Sequence, residues 1–439
     1  MSTTHHRTCP LCEATCGLEV TLDDDGSVKV IRGDRDDVFS AGFICPKGTT
    51  LGKLHTDPDR LRTPLVRSGP GGDLEEATWE EAFAAVEAGL QRVRSAGGND
   101  SVAVYLGNPN AHGHTGPIFG RPMIKALGTR NVFSASTVDQ MPRHVSCGLM
   151  FGKPLTIPVP DLDRTDHLLI LGANPLESNG SLCTAPDFPG RLEGILRRGG
   201  KVVVVDPRRT KTAELASEHV AIRPGTDALL LAAMAHVLLD ERLATPGAAA
   251  EHANGLDALA DALAPFTPEP VARRTGVDAE RIRRLARDLA AAPTAVVYGR
   301  IGVHTTPFGT LASWAADVLN LLTGNLDSPG GAMWPSPAHL PAPAAPGGRG
   351  YSTGRWSSRV SGMPEANGEL PVAVLAEEIL TPGDGQVRAL VTVGGNPALS
   401  TPDSERLTAA LESLDFMVSV DPALNETTRH ADVVLPPPS

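Results

Sequence analysis

Two widely separated stretches of this chain repeat the same order of features, and that repeat constrains the fold more than any other part of the sequence. LILGANP at 169–175 resembles VTVGGNP at 391–397, and VVVDP at 203–207 resembles VSVDP at 418–422. Each half is an apolar strand, a Gly-x-Asn-Pro turn, a helix, and a second strand ending in Asp-Pro. Strands joined through a helix run parallel, and open parallel sheets take their ligands at the carboxyl ends of the strands. Either copy of Gly-x-Asn-Pro alone is a tight turn. The ordered pairing with Asp-Pro in both halves points to two related nucleotide-type sites.

The rest of the chain keeps the same rhythm. SVAVYLG, DHLLILG, KVVVVD, HVAIRP, TAVVYG, RALVTVG, FMVSVD and ADVVLP read as short buried strands. Helical patterns near 191–198, 226–240, 278–291, 309–323 and 403–413 lie between several of them. Thr78 and Glu81 have the spacing of a capping box, and Trp79, Phe83, Val86, Leu90 and Val93 fall on one face of the helix that follows. Residues 17–32 read as a hairpin around an Asp-Asp-Gly turn. The alternation predicts an α/β fold with mainly parallel sheets. Residues 335–372, rich in Pro, Gly, Ser and Arg, read as a long irregular connection.

Charge and hydropathy remove several function classes. With 51 acidic against 39 basic residues the net charge is -12, which argues against a nucleic-acid partner. The most apolar stretch, Ala228–Leu239, contains His236 and is too short to span a bilayer. The N-terminus has no apolar signal core and no twin arginine, so a cytoplasmic location is the default expectation. Six cysteines in 439 residues are too few and too clustered for a disulfide framework.

Four of those cysteines gather near the N-terminus: Cys9, Cys12 and Cys16 on one loop, and Cys45 further on. Four thiolates suit a four-iron (4Fe–4S) cluster or structural zinc. Zinc more often uses two paired knuckles, and Cys45 has no cysteine beside it. A proline next to a ligand, as in Cys45-Pro46-Lys47-Gly48, recurs in ferredoxin-type runs.

The order C-x2-C-x3-C-x28-C-P-K-G, then LHTDPDRLRTPLVR, GANPLESN, VVDPRRTKTAELA, RPGTDALLLAA, LLTGNLDSPGG, GGNP and HADVVLP, resembles the molybdopterin oxidoreductases of the formate dehydrogenase and assimilatory nitrate reductase type. The resemblance covers nearly the whole chain. It implies a 4Fe–4S domain over 1–65, one doubly wound α/β domain from 66–135 with 336–439, and a second over 136–335. It implies a molybdenum or tungsten ion held by two pterin guanine dinucleotides, with the cluster ligated by Cys9, Cys12, Cys16 and Cys45. Lys47 inherits a place between cluster and pterin. The expected partners are a small-molecule substrate and a redox partner protein, with neither membrane nor nucleic acid.

In the family the protein ligand to the metal follows an Asn-Val pair by a fixed interval. Counting from Asn131-Val132 brings Asp139 to that position, where a carboxylate is an acceptable hard donor. The competing reading makes Asp139 a helix N-cap, and Cys147 and Cys183 are the rival thiolates. Formate dehydrogenases carry a histidine after the ligand. This chain has Gln140, a neutral amide that cannot act as a base, and it lacks their arginine-containing segment after the Pro-Gly-Gly turn, so the resemblance argues against formate as substrate. By resemblance one dinucleotide rests on Gly172, Asn174, Glu177, Asp206, Arg208, Gly225 and Asp227. The other uses Gly394, Asn396, Asp421 and Asp432. Gly302 lies in a glycine-rich loop near the metal, and His304 in the same run reads as structural.

The family's chains continue past the ADVVLP strand into a further domain contacting both pterins, whereas this sequence stops at Ser439. The expectation is a chain that keeps its cluster better than its pterins unless a longer chain or a second subunit supplies that domain. The alternatives to a redox enzyme are a non-redox hydratase on the same scaffold, an electron-transfer subunit, and a binding remnant without metal.

Overall fold

The computed structural model describes residues 2–69, 71–183, 185–335 and 350–438. In chain order the strands are β1 (Thr3–Thr8), β2 (Gly17–Leu22), β3 (Val28–Gly33), β4 (Leu65–Arg67), β5 (Leu74–Glu76), β6 (Val102–Leu106), β7 (Val132–Ser134) and β8 (Val159–Pro160). They continue as β9 (His167–Leu171), β10 (Lys201–Val205), β11 (Glu218–Val220), β12 (Ala295–Gly299), β13 (Ala332–Met333), β14 (Ala389–Val393), β15 (Phe416–Val420) and β16 (Val433–Leu435). The chain falls into two compact units, residues 1–138 with 352–439, and residues 139–351.

The second unit is built on the parallel sheet β11-β10-β9-β12. Alternate residues of its strands point to opposite faces. Leu169, Leu171, Val203 and Val205 pack with the helices Asp227–Asp240, Ala279–Ala291 and Gly309–Leu322. Leu168, Ile170, Val202 and Val204 pack with helix Phe188–Arg197 on the other side. Helices therefore cover both faces, which is why these strands are continuous apolar runs rather than alternating ones.

The first unit carries a sheet ordered β5-β4-β16-β15-β14-β6-β7. From β16 to β7 neighbouring strands are parallel, and β4 and β5 add an antiparallel edge. Its central order, β16-β15-β14-β6, repeats β11-β10-β9-β12 of the other unit. The repeat seen in the sequence joins β9 to β14 and β10 to β15. The fourth strand comes last in the second unit, as β12, but first in the first unit, as β6. Both sheets consequently reverse their winding next to the strand bearing the Gly-x-Asn-Pro turn, and that reversal opens a crevice at the carboxyl ends.

The hairpin expected over 17–32 is β2 and β3, with a register shift at Thr21/Leu22. The polar, exposed strand β1, which lacks an apolar pattern, pairs with it. The strand expected in HVAIRP is confined to Glu218–Val220. Thr78 and Glu81 form the capping box of helix Trp79–Gly97, and of the expected face Val86, Leu90 and Val93 pack against the sheet while the two aromatics do not. Ala82, Gly89 and Val93 are buried, while Trp79 and Phe83 are 42% and 56% exposed. A Cβ on Gly89 would lie 2.4 Å from the Phe416 ring, so the small-residue face is the one that can approach the sheet, and the aromatic pair turns outward. Of the Pro-rich connection, 336–349 lies outside the described residues. Beyond it the chain is irregular but anchored by buried Glu365, which accepts from the backbone and Nε of Arg355 at 3.2 and 3.1 Å.

Candidate cofactor site

Cys9 follows β1 and Cys16 precedes β2, so the hairpin pairing closes the loop between them. The Cys9 N–H donates to the Cys16 carbonyl at 2.8 Å. Cys45 caps the short helix Pro46–Thr49, whose Gly48 comes so close that a Cβ there would stand 3.9 Å from Cys9 Sγ. Burial, and then the charges of Cys12 and Cys45, push the Cys9 thiol up. Burial, then Cys9, Cys12 and Cys45, push Cys16 up to about 11. The four sulfurs thus share one electrostatic neighbourhood, whose mutual repulsion bound iron would relieve. Among the described residues no three His, Cys, Asp or Glu side chains converge as one metal ion requires. Lys47 is exposed on the helix that Cys45 begins.

At the carboxyl edge of the second unit, Gly172 takes φ +54, its N–H donates to Val205 O at 3.0 Å, and its carbonyl accepts from Gly302 N–H at 2.9 Å. A Cβ on Gly172 would lie 2.7 Å from Gly302 C, so side chains at this crossing are excluded. Asn174 Oδ1 accepts from the Thr212 hydroxyl at 2.7 Å, tying the turn after β9 to the segment after β10. The Asp206 carboxylate accepts from Arg208 N–H at 2.8 Å. Asp227, buried at the first turn of its helix, is pushed up to about 6 by burial, with the nearby Asp206 charge adding to it. Gly225 holds φ +77 just before that helix. Glu177 and Arg208 are exposed, and Glu177 pairs with Lys211 at 2.5 Å.

The first unit repeats three of these contacts. Gly394 takes φ +59 and donates to Val420 O at 2.8 Å. Asn396 Oδ1 accepts from the Thr427 hydroxyl at 2.6 Å, and Asp421 accepts from Ala423 N–H at 3.1 Å. Across the crevice stands Gly107, where a Cβ would lie 1.8 Å from Gly394 O. Asp432 is not at this edge. Its carboxylate accepts from Met417 N–H at 2.8 Å, at the amino end of β15, so it stands apart from Gly394, Asn396 and Asp421.

Sequence reasoning passed over three contributors here. Gly107-Asn108-Pro109 is a third Gly-Asn-Pro signal after an apolar strand. Thr212 and Thr427 each lie six residues beyond the Asp of an Asp-Pro pair, and that shared spacing was the signal available for them. Both threonines are fully buried. Thr212→Val, which removes the hydroxyl donor and leaves Asn174 Oδ1 only the longer contact from the residue 212 N–H at 3.4 Å, is expected to cost about 1–3 kcal/mol; a urea midpoint equal to that of the unchanged protein would count against the bridge.

Asp139 precedes helix Met141–Phe151, and Gln140, not Asp139, occupies its N-cap position. The Asp139 carboxylate accepts instead from Arg300 Nη1, a fourth contributor that sequence reasoning missed. Arg300 also donates through Nε to Ser181 Oγ at 2.9 Å. His144 and His304 lie buried nearby, their Nδ1 atoms without a hydrogen-bond partner. Burial, followed by the charge of Arg143, holds them down to about 4 and about 3. Arg143 has its own partner, the buried Asp317, at 2.5 and 3.0 Å. Cys147 is fully buried and pushed up to about 12 by burial, which disfavours the thiolate that ligation requires. Cys183 sits in the apolar cluster with Leu168, Ile170 and Phe188.

Comparison with known proteins agrees with this construction. Residues 60–438 match the molybdopterin oxidoreductase family, and residues 2–56 the molybdopterin oxidoreductase Fe4S4 domain. The chain is 29% identical over 445 residues to the alpha subunit of a formate dehydrogenase from Methanococcus maripaludis, covering 98% of this chain and 63% of that one. It is 26% identical over 456 residues to formate dehydrogenase H of Escherichia coli, covering 98% and 61%. With a nitrate reductase of Symbiobacterium thermophilum it shares 29% over 467 residues, covering 99% and 60%. The chain thus spans about three-fifths of the length of these relatives. Acetylene hydratase from Pelobacter acetylenicus has the same fold, with a TM-score of 0.79 at 21% identity over 98% of this chain and 62% of that one. Four thiols on an N-terminal hairpin, followed by two sheets with matching crevices, are what these relationships lead one to expect: the chain belongs to the molybdopterin oxidoreductase family and carries that family's Fe4S4 domain, which imply a 4Fe–4S cluster and a molybdenum or tungsten pterin cofactor.

Proposed function

We propose that this chain is the cluster- and dinucleotide-binding part of an oxidoreductase that exchanges two electrons with a small substrate. When bound, the metal–pterin group would supply that two-electron chemistry and the iron–sulfur cluster a one-electron relay. The observation that carries the reading is the duplicated crevice, Gly172/Gly302 in one unit and Gly394/Gly107 in the other, in a chain that also gathers four cysteines. Side chains are excluded at both crossings, so the turns that line each crevice meet backbone to backbone and hold a fixed edge against which an anionic dinucleotide would lie. Asp206 and Asp227 in one crevice, and Asp421 in the other, are placed to accept hydrogen bonds from ribose or guanine. Arg208 is free to turn toward phosphate, and Asp139 offers the metal a hard oxygen donor. Lys47, on the helix begun by Cys45, would carry charge between cluster and pterin.

Gln140 cannot accept a proton near neutrality, so a substrate whose oxidation needs a base at that position is not favoured. Among the described residues no helix is long and apolar enough to cross a membrane. That the Methanococcus relative is named an alpha subunit supports a separate redox partner for this chain.

Anaerobic purification followed by metal analysis and pterin extraction tests the proposal, together with turnover of artificial electron acceptors on candidate substrates. Two pterins per molybdenum or tungsten with dye-linked turnover is the result expected of the complete enzyme. Full cofactor content without turnover of any acceptor would overturn the redox reading in favour of hydration chemistry.

A further inference from the structure

Arg300 stands immediately beyond β12, and its N–H donates to the Leu171 carbonyl at 3.1 Å, which fixes it at the carboxyl edge between β9 and β12. Its side chain is 10% exposed and divides its donors between the Ser181 hydroxyl and the Asp139 carboxylate. The other buried cation nearby, Arg143, is satisfied by Asp317. His144 and His304 bring no negative charge. Asp139 is therefore the carboxylate that balances the Arg300 guanidinium, and a buried guanidinium stripped of its partner is costly. The Asp139 side chain remains 32% exposed, so the carboxylate is held on one side and open on the other.

We propose that Arg300 is a positioning residue for the metal ligand. It retains one oxygen of Asp139, Oδ1, and thereby presents the other, Oδ2, as a single-oxygen donor. This rests on the reading of Asp139 as the ligand and adds how its orientation is set. The Ser181 bond fixes the plane of the guanidinium, so the fork, and not charge alone, determines where Oδ1 sits. Lysine carries the charge but cannot make both contacts in one plane. Outer contacts of this kind commonly hold ligating carboxylates, and losing them costs about 10–100-fold in metal affinity.

The test uses the anaerobically purified full chain with its metal, as Asp139→Ala, Arg300→Lys and Arg300→Met, with iron content as the control for a folded N-terminal region. Metal content and the metal's X-ray absorption spectrum are the readouts. Asp139→Ala is expected to lose the short metal–oxygen contact. Arg300→Met should lower metal retention about 10–100-fold and alter that contact, while Arg300→Lys recovers retention without restoring the original spectrum. A normal spectrum and normal metal content in Arg300→Met, beside a lost contact in Asp139→Ala, would overturn the positioning role and leave the ligand assignment standing. An unchanged spectrum in Asp139→Ala would overturn the ligand assignment and the positioning role with it.

Discussion

Replacing Cys12 with serine is expected to take the anaerobically purified protein from about four irons per chain to near none, abolishing its brown colour and the paramagnetic signal of the reduced cluster. The loss should reach beyond the chromophore. The apolar cluster of the N-terminal region contains only Cys9, Ala14, Cys16, Leu18 and Ile31 as buried members, and two of these are themselves cluster cysteines. A core of this size does not hold so short a segment on its own, and small domains of this kind are usually held by a metal or disulfides. Without iron, mutual repulsion among the sulfurs is relieved only by protonation, as the raised thiols of Cys9 and Cys16 indicate. Residues 2–56 should then become the preferred site of limited proteolysis, while the two α/β sheets keep their far-UV signal. Stoichiometric zinc with no iron in the unchanged protein would sink the cluster assignment, and an unaltered proteolysis pattern in Cys12→Ser would show that the hairpin is stable without it.

Acidification from pH 7 to pH 5 is expected to destabilise the second unit by about 4–5 kcal/mol. His144, His167 and His304 are each held well below the ordinary histidine range, to about 4, about 4 and about 3, with burial as the first cause. A histidine with a depressed folded value contributes its full stability above about pH 6.5 and loses it as the pH falls toward the folded value, because the unfolded chain takes up a proton that the folded one refuses. At pH 5 each loses about 2 kcal/mol relative to pH 7. Asp227 acts in the opposite sense. Its value is raised to about 6, so protonation below that pH favours the folded state and returns about 1 kcal/mol. Urea titrations at pH 7, 6 and 5 should show the midpoint falling most steeply below pH 6.5, and replacing His167 with an apolar residue should flatten that slope by about two fifths. A pH-independent midpoint over this range would show that these histidines are not buried neutral in the folded protein.

The repeated LILGANP and VTVGGNP stretches, with VVVDP and VSVDP, determine by themselves that the chain contains two parallel α/β halves, each with a Gly-x-Asn-Pro turn at the carboxyl end of a strand. Residues of one strand are neighbours in sequence, and period-two burial inside a covered sheet leaves a continuous apolar run that can be read directly. The four N-terminal cysteines were equally legible, because the spacing of thiols on a short loop limits what they can bind. What the sequence could not decide lies between segments distant along the chain. That β6 takes in the first unit the place β12 takes in the second depends on which strand docks beside β14, and neither strand's own pattern records that choice. The helix after Thr78 shows the same limit: its aromatic residues have the periodicity of a core face, yet close approach of Gly89 to Phe416 turned the small-residue face inward. The family resemblance puts Asp432 with the second dinucleotide, but the parallel register sets it at the amino end of the sheet, away from Gly394, Asn396 and Asp421. Arg300 carries no local signal of a role beside Asp139, because an ion pair bridging 161 positions exists only once both sheet edge and helix start are in place. Periodicity and spacing are local quantities and survive in the sequence. Strand order, helix facing and the pairing of buried charges come from the competition among packings, and only the tertiary structure resolves it.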